Sequence, residues 1–481
     1  MHICKFFRTF ARFFKVLKEY FPYYKRNLKV AFPVMLTQLG ASLVGLFDSI
    51  MVGRYATADL AAVSFSNAIF FTFMVFAMGC LMGLTPLVGY EVGQQNADCH
   101  RTIANLFRAG ALFTLLLSVA MILILGMFLP FLDHFGQEPE VIAAARPYYT
   151  LIVLSIVPFL FFTLCKQFME GLGNTMVAMI LTMGMNVLNI GLNWVLIFGH
   201  LGFPAMGATG AGIATLISRT LMPLLFLLAI YIRKEWRRYL KQVEQVEQVE
   251  QVELNQLNPL NHSNRQLLHK LWSIGAPIGG QTVLETFTFT ISFIIIGWLS
   301  KEALAAHQVA NQIADMTFML AIGIGSATTI RVSHQLGKGD LHAVRMASNA
   351  SIHLVLLMNS IGAGLMLALH NYIPLLFTKD PEVIRIASTL VMIAGLFQYA
   401  DGLQTVGAAM LRGITDVKKP MLYAFIAYIL IALPVGIVLT FPCHMGAPGM
   451  WVGFIFGLSC AAALFHTRFR KKLHEKEQKQ I

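Results

Sequence analysis

Twelve apolar stretches dominate this chain, at approximately 30–52, 60–89, 102–128, 147–169, 177–199, 207–232, 271–299, 303–330, 346–370, 386–411, 420–441 and 447–467. Each is long enough to cross a hydrocarbon core about 30 Å thick. Inside lipid no water serves the backbone, so each must satisfy its own amide groups as a helix. An all-α integral membrane protein with twelve transmembrane helices follows. The rest of the composition agrees. Only 12% of the 481 residues are charged, against roughly 25% for an average soluble domain. Disorder needs low hydrophobicity and high charge, and 57% of these residues are hydrophobic.

An even number of spans places both termini on one side, and lysine and arginine decide which. Of the 36 Lys and Arg, 29 fall on the termini's side of the spans and 5 on the other (Arg54, Arg146, Lys301, Lys379 and Arg385). Both termini are therefore expected in the cytoplasm. The net charge of +12 follows this loop pattern rather than a nucleic-acid footprint, so no nucleic acid is expected. The six cysteines are scattered, mostly in apolar stretches, with no CxxC pair, and read as small apolar fillers.

Residues 1–29 carry eight basic residues. Phe6, Phe10, Phe13, Phe14, Leu17 and Phe21 recur at helical spacing, with Lys5, Arg8, Arg12 and Lys15 on another face. That pattern predicts a basic amphipathic helix on the membrane surface and no cleavable leader. Residues 233–270 form a polar linker in which Gln-Val-Glu repeats from Gln242 to Glu253. A basic tail, 468–481, ends the chain.

The linker separates two similar halves, 30–232 and 271–467. An offset of 244 pairs Pro33 with Pro277, Gly53 with Gly297, Asn67 with Asn311, Gly79 with Gly323 and Thr85 with Thr329. Pro139-Glu140-Val141-Ile142 matches Pro381-Glu382-Val383-Ile384 at 242, and Met206-Gly207-Ala208 matches Met445-Gly446-Ala447 at 239. Two pseudo-symmetric six-helix bundles are expected, a design that suits rocking about a midplane site.

A carboxylate at the bilayer centre costs about 2.5–3.5 kcal/mol on insertion scales. Four lie within the predicted spans: Asp48, Glu285, Asp315 and Asp401. Their repeat partners are Ser292, Ala41, Phe71 and Phe159, so these acids break the pseudo-symmetry. Each has polar company. Gln281, Glu285, Thr288 and Ser292 share one helical face, as do Gln398, Asp401 and Thr405, and Asn186, Asn189 and Asn193. His307, Asn311 and Asp315 form another such row. Polar stripes of this kind line a wet cavity or hold helices together. For Glu285 and Asp401 the desolvation penalty favours the functional reading; Asp48, toward the end of its span, stands evenly between the two. His307 reads as structural. Arg219 is either a counter-charge to one acid or a snorkelling side chain. No nucleophile–base pair, phosphate loop or metal cluster is present in the pattern, so an enzyme is not expected.

These residues resemble a known family, the multidrug and toxic compound extrusion (MATE) transporters of the NorM-type branch. The resemblance runs over roughly residues 28–467. It is carried by Phe47-Asp48-Ser49-Ile50-Met51-Val52-Gly53-Arg54, Ala305-Ala306-His307-Gln308, Thr329-Ile330-Arg331-Val332 and Gly407-Ala408-Ala409-Met410-Leu411-Arg412-Gly413. It implies a V-shaped transporter in a bacterial inner membrane that exports cationic amphipathic molecules in exchange for Na+ or H+. The expected partners are that substrate and membrane lipid, with a monomer as the unit and no cofactor beyond the coupling ion. Glu285 and Asp401 resemble the family's coupling acids, and would hold Na+ if sodium is the ion; Asp48 resembles the acid of the N-terminal lobe. Asn186, Asn189, Asn193, Gln281 and Gln398 are the supporting polar residues. Asp315 lies outside the family's pattern and rests on its desolvation cost alone. Phe397 stands where such proteins can carry tyrosine, which removes an oxygen from the inferred Na+ site. The rival reading is a flippase for a lipid-linked oligosaccharide. It calls for cations toward a pyrophosphate, and only Lys166 and Arg219 lie within the spans.

Overall fold

The computed structural model describes residues 2–95, 99–233, 236 and 260–479, with side chains from 18 and from 265 in the two helices that begin earlier. Among these residues every regular element is helical. Eleven helices are long and apolar enough to cross a membrane, and a bent pair, Pro139–Leu154 and Ile156–Gly171, makes the twelfth. The pair meets at 42° on either side of Ser155. Pro158 explains the break: it has no N–H to return to the carbonyl of Leu154. Span eleven is irregular for the same reason. A π-helical turn, Ile426–Ala432, interrupts it just before Pro434.

The chain packs as two units, Leu36–Thr286 (the N-unit) and Met1–Met35 with Phe287–Ile481 (the C-unit). The halves read from the sequence meet in the linker. The packed units instead divide inside spans one and seven, so the first part of each of these helices belongs to the unit of the other half. The Gln-Val-Glu repeat lies outside the described residues. The helix that begins at His2 runs unbroken to Tyr55. The 18–29 stretch is thus the start of span one rather than a separate surface helix; the apolar face from Phe6 to Leu17 lies outside the described side chains. Asn27 donates to the Ala347 carbonyl (3.0 Å) and to Ser351 Oγ (2.9 Å). Tyr24 and His353 share a 2.8 Å hydrogen bond.

Glycines make the exchange of helix halves sterically feasible. In the N-unit, Gly79 and Gly83 on span two meet Gly279 and Gly275 on span seven. A Cβ on Gly79 would lie 2.6 Å from the Gly279 Cα, and one on Gly83 would lie 3.1 Å from the Gly275 nitrogen. Each pair is spaced as small-xxx-small, which lets backbones touch in lipid. The C-unit repeats the contact at an offset of 244. There Gly323 lies against Met35, and a Cβ would sit 2.9 Å from the Met35 nitrogen.

The duplication reaches individual hydrogen bonds. Thr85 Oγ1 donates to the Gln167 carbonyl (3.0 Å) in the N-unit. In the C-unit Thr329 Oγ1 donates to the Ala409 carbonyl, also at 3.0 Å. Gly207 and Gly446, which open spans six and twelve, both have positive φ (+52° and +64°), the region that favours glycine.

Candidate substrate and ion sites

The bend at Ser155 positions the N-unit site. A cavity of about 170 Å³ opens beside it, walled by Asp48, Asn186, Asn189, Ser218, Arg219 and Phe159 among others. Asp48 is half-buried on span one and accepts the Asn193 Nδ2–H at 2.5 Å. Asn193 in turn lies 3.4 Å from Asn189 Oδ1. Asn193 of the span-five asparagine row therefore meets the span-one acid, with Asn189 one turn behind it.

Arg219 does not snorkel out of the span. Its Nη1 donates to Ser155 Oγ at 2.7 Å, and its guanidinium lies over Phe70 and Phe159, 5.1 and 4.7 Å from the ring centroids. Cation–π attraction of this kind grows where water is excluded. The Ser155 hydroxyl donates to the Ile152 carbonyl at 2.7 Å and so accepts the arginine through its oxygen.

Lys166, the other cation within the spans, is differently occupied. It donates to Gln38 Oε1 (3.2 Å) and faces Glu170 at 4.0 Å, with the Glu170 side chain 5% exposed. Glu170 escaped the sequence reading because it lies just past the apolar run. Its position four residues after Lys166 was the available signal.

The C-unit places its polar residues deeper. Asp401 is buried (5% exposed). Gln404 Nε2 approaches its Oδ1 at 3.5 Å, and the Tyr428 hydroxyl donates to Gln404 Oε1 at 3.0 Å. Tyr428 lies in the π-helical turn, a geometry common at functional sites. Neither Gln404 nor Tyr428 was singled out from the sequence. Gln404 falls one turn from Asp401, and Tyr428 is a hydroxyl within an apolar span; both facts were legible. Gln398 Oε1 is buried without a hydrogen-bond partner, while its backbone carbonyl accepts Asn359 Nδ2 at 2.6 Å.

His307 is wholly buried, and its Nδ1 accepts the Trp451 indole N–H at 3.0 Å. The neutral ring then carries its proton on Nε2, which faces Ser292 Oγ at 3.5 Å. The structural reading of His307 fits this buried chain. Phe397 packs against Trp451 and Phe289, with centroids 5.3 and 6.2 Å apart.

The remaining acids differ in burial. Glu285 is half-buried and falls in the N-unit, whereas Asp401 falls in the C-unit. Gln281, on the same helix as Glu285, is buried. Asp315 is exposed and accepts the Asn311 amide at 3.1 Å. Among the described residues no group of three or more His, Cys, Asp or Glu could hold a metal ion.

A family model described as MatE matches this chain twice, at residues 33–195 and again at 277–438. The chain belongs to the MatE family. The two matches are themselves the duplication, set apart by the offset read from the repeat. A "Probable multidrug resistance protein NorM" of Xylella fastidiosa (strain 9a5c) is 31% identical, over 92% of this chain and 91% of the relative. A "Multidrug resistance protein NorM" of Vibrio vulnificus (strain YJ016) is 32% identical, over 92% of this chain and 94% of its own. Among solved structures, one titled "Outward-facing conformation of a multidrug resistance MATE family transporter of the MOP superfamily" superposes with a TM-score of 0.82 at 18% identity, over 95% of this chain and 97% of that one. The eukaryotic MATE transporter AtDTX14 superposes at 0.79 and 18% identity, over 96% and 100%. At that identity the likeness is one of fold. This MatE protein is a multi-pass membrane transporter and not an enzyme.

Proposed function

We propose that this MatE-family protein is a secondary antiporter that exports amphipathic organic cations, drugs among them, in exchange for H+ or Na+ by alternating access. The observation that carries this reading is Asp48, a carboxylate inside a membrane span, on the wall of a cavity and within reach of Asn193. A carboxylate in such a place is relieved by a proton, a small metal ion or a cationic substrate. Asp401 and Glu285 supply the same chemistry in their own units. Where ion and substrate compete for one acid, exchange needs no further device. Trading one monovalent cation for another is electroneutral. A tenfold ion gradient then supplies about 1.4 kcal/mol, enough for a roughly tenfold substrate gradient.

Phe397 supports a proton over Na+, since its ring joins an aromatic cluster and offers no oxygen. The lysine and arginine bias of the loops supports cytoplasmic termini in a bacterial inner membrane. The relatives' names, multidrug resistance proteins, support the substrate class. A pyrophosphate-carrying lipid finds little here. Lys166 already faces Glu170, which leaves one arginine beside an acid.

The test is transport by the purified protein in proteoliposomes, with ethidium as the fluorescent cation and the pH and Na+ gradients imposed separately. Movement under the pH gradient alone is expected. Asp401→Asn and Glu285→Gln should each abolish coupled movement in protein that still folds. Unchanged movement in both variants would refute the competition scheme, and no movement under either gradient would refute antiport.

A further inference from the structure

We propose that Arg331 and Arg26 of the C-unit form a binding site for a phosphate oxyanion, supplied by the headgroup of an anionic phospholipid. Arg331 sits just past the apolar stretch 303–330 and Arg26 just before 30–52. Both therefore lie where their helices leave the membrane on the termini's side.

An uncompensated charge is the first observation. Arg331 is half-buried, and its Nε and Nη2 are buried without a hydrogen-bond partner. The charge that acts on it is a second cation, Arg26, with the Tyr23 side chain beside it; among the described residues no acid offsets the pair. Other half-buried cations of this protein are matched. Lys166 faces Glu170 at 4.0 Å, and Arg468, on the same side of the membrane as Arg331, meets Asp416 at 2.8 Å. Taking a charge out of water without a counter-charge is costly, and buried polar atoms are normally satisfied. One oxyanion would satisfy both guanidiniums, since each can present its planar fork of donors to it.

The repeat is the second. An offset of 244 pairs Lys270 with Arg26, Leu87 with Arg331 and Glu91 with Gln335. In the N-unit Lys270 acts on Glu91, and Leu87 is a buried apolar residue. In the C-unit the first cation is kept, the acid has become an amide and the leucine a second cation. The three positions thus sum to zero in the N-unit (+1, −1 and 0) and to +2 in the C-unit (+1, 0 and +1). Because leucine fills this place in one copy of the fold, packing does not call for the arginine in the other.

Depth is the third. Around Arg26, span one exposes Lys25 and Lys29 together with Phe21, Leu28 and Phe32. Tyr20 stacks on Tyr24 and meets His353 edge-on. Aromatic and basic residues in company mark the level of the lipid headgroups. The phosphate present at that level is a lipid's. A site of charge +2 favours a headgroup with net negative charge over a zwitterionic one.

The experiment follows thermal unfolding of the purified, delipidated full-length protein in detergent. Dioleoylphosphatidylglycerol, dioleoylphosphatidylcholine and inorganic phosphate (against chloride at matched ionic strength) are titrated separately. A ligand of the native state raises the midpoint. Phosphatidylglycerol should raise the wild-type midpoint saturably, and phosphatidylcholine should not. Arg331→Gln should need at least about tenfold more phosphatidylglycerol for the same rise. Arg331→Lys keeps the charge but loses the fork, and should need an intermediate amount. Lys419→Gln, at an exposed lysine, should respond as wild type does. Arg26→Gln should weaken the response too; with Arg331→Lys it carries the test if Arg331→Gln does not fold. Without lipid, Arg331→Gln should melt no lower than wild type, because it removes an unmatched cation. A lipid-free midpoint lowered in both Arg331→Gln and Arg331→Lys would reveal an arginine that holds the fold, and would overturn the proposal. So would an equal response of wild type and folded variants to phosphatidylglycerol, an equal rise with both lipids, or no response of the wild type to any additive. Stabilisation by inorganic phosphate, lost in Arg331→Gln and matched by neither lipid, would support the oxyanion site and overturn its assignment to a lipid.

Discussion

Adding a single methyl group at Gly79 should destabilise this protein, while the same change at helical glycines with open space beside them should not. In the N-unit a Gly79 Cβ would lie 2.6 Å from the Gly279 Cα and 3.0 Å from the Gly279 nitrogen. Both are backbone atoms, so no rotamer change relieves the clash, and the two helices must separate. Overpacking of this kind costs about 1–3 kcal/mol. Gly184 and Gly191 also lie within a helix, but a Cβ there meets nothing within 4 Å. Alanine at those positions removes the entropic cost of glycine and gains roughly 0.5–1 kcal/mol. The two kinds of substitution should therefore differ by about 1.5–4 kcal/mol. Gly323→Ala should fall with Gly79→Ala, because its Cβ would meet the Met35 backbone. The assay is thermal unfolding of each purified variant, followed by a thiol-reactive dye that reports exposure of the buried Cys80 and Cys165. Indistinguishable midpoints for Gly79→Ala and Gly184→Ala would refute the close crossing of spans two and seven. A normal midpoint for Gly323→Ala alone would refute its C-unit counterpart.

Other consequences follow from single contacts. Lys166→Met leaves Glu170 buried without its cation and should cost about 3–5 kcal/mol; adding Glu170→Leu should recover most of the loss in the same melts. Trp451→Phe removes the donor to His307 Nδ1, and the stranded buried acceptor should lower stability by about 1–3 kcal/mol. Gly207→Ala should be worse than Gly446→Ala in side-by-side melts: both have positive φ, but only at Gly207 would the new Cβ strike Asp59 and Tyr55. That collision also disturbs the Asp59 carboxylate, which accepts the Ala208 N–H at 2.7 Å.

Most of the fold was legible because the membrane leaves a chain few choices. An apolar run of sufficient length must be a helix, so Lys418–Thr440 reads as span eleven even though a π turn interrupts it. The duplication was legible because glycines and prolines at fixed offsets mark the same close approaches and kinks in both halves. The division inside spans one and seven was not. Hydropathy reports which residues avoid water, and both parts of a long helix avoid it equally. Only the pairing of Gly79 and Gly83 with Gly279 and Gly275 distinguishes them, and small residues name no partner. The site was half legible. Spacing put the span-five asparagines on one helix face, and the family resemblance set them near Asp48. The anchoring of Arg219 could not be read, because it depends on the buried Ser155 hydroxyl at a bend and on the rings of Phe70 and Phe159, all far from Arg219 in the sequence. The Tyr428 hydroxyl was legible within its apolar span, but its facing was not, because the π turn rotates the helix face on which a 3.6-residue period would place it.

The repeat also explains why chemistry concentrates where it does. Asp48 and Ser292 are equivalent positions, as are Phe159 and Asp401. In the N-unit the first carries the acid, facing Asn193, and the second supplies a ring over Arg219. In the C-unit the first is a hydroxyl facing His307 Nε2, and the second carries the acid, near Gln404. Duplication thus delivers the same two backbone positions to the interior of each unit, and substitution assigns them opposite tasks. One unit sets an acid and an arginine on the wall of one cavity; the other buries its acid near the Gln404 amide. Such a division gives the N-unit cavity both signs of charge on one wall and leaves the acid of the C-unit beside an amide. Asp401→Asn should remove ion dependence from transport while leaving the binding of ethidium intact, read by ethidium fluorescence with the purified protein. Loss of both in the folded variant would show that the two acids act as one site.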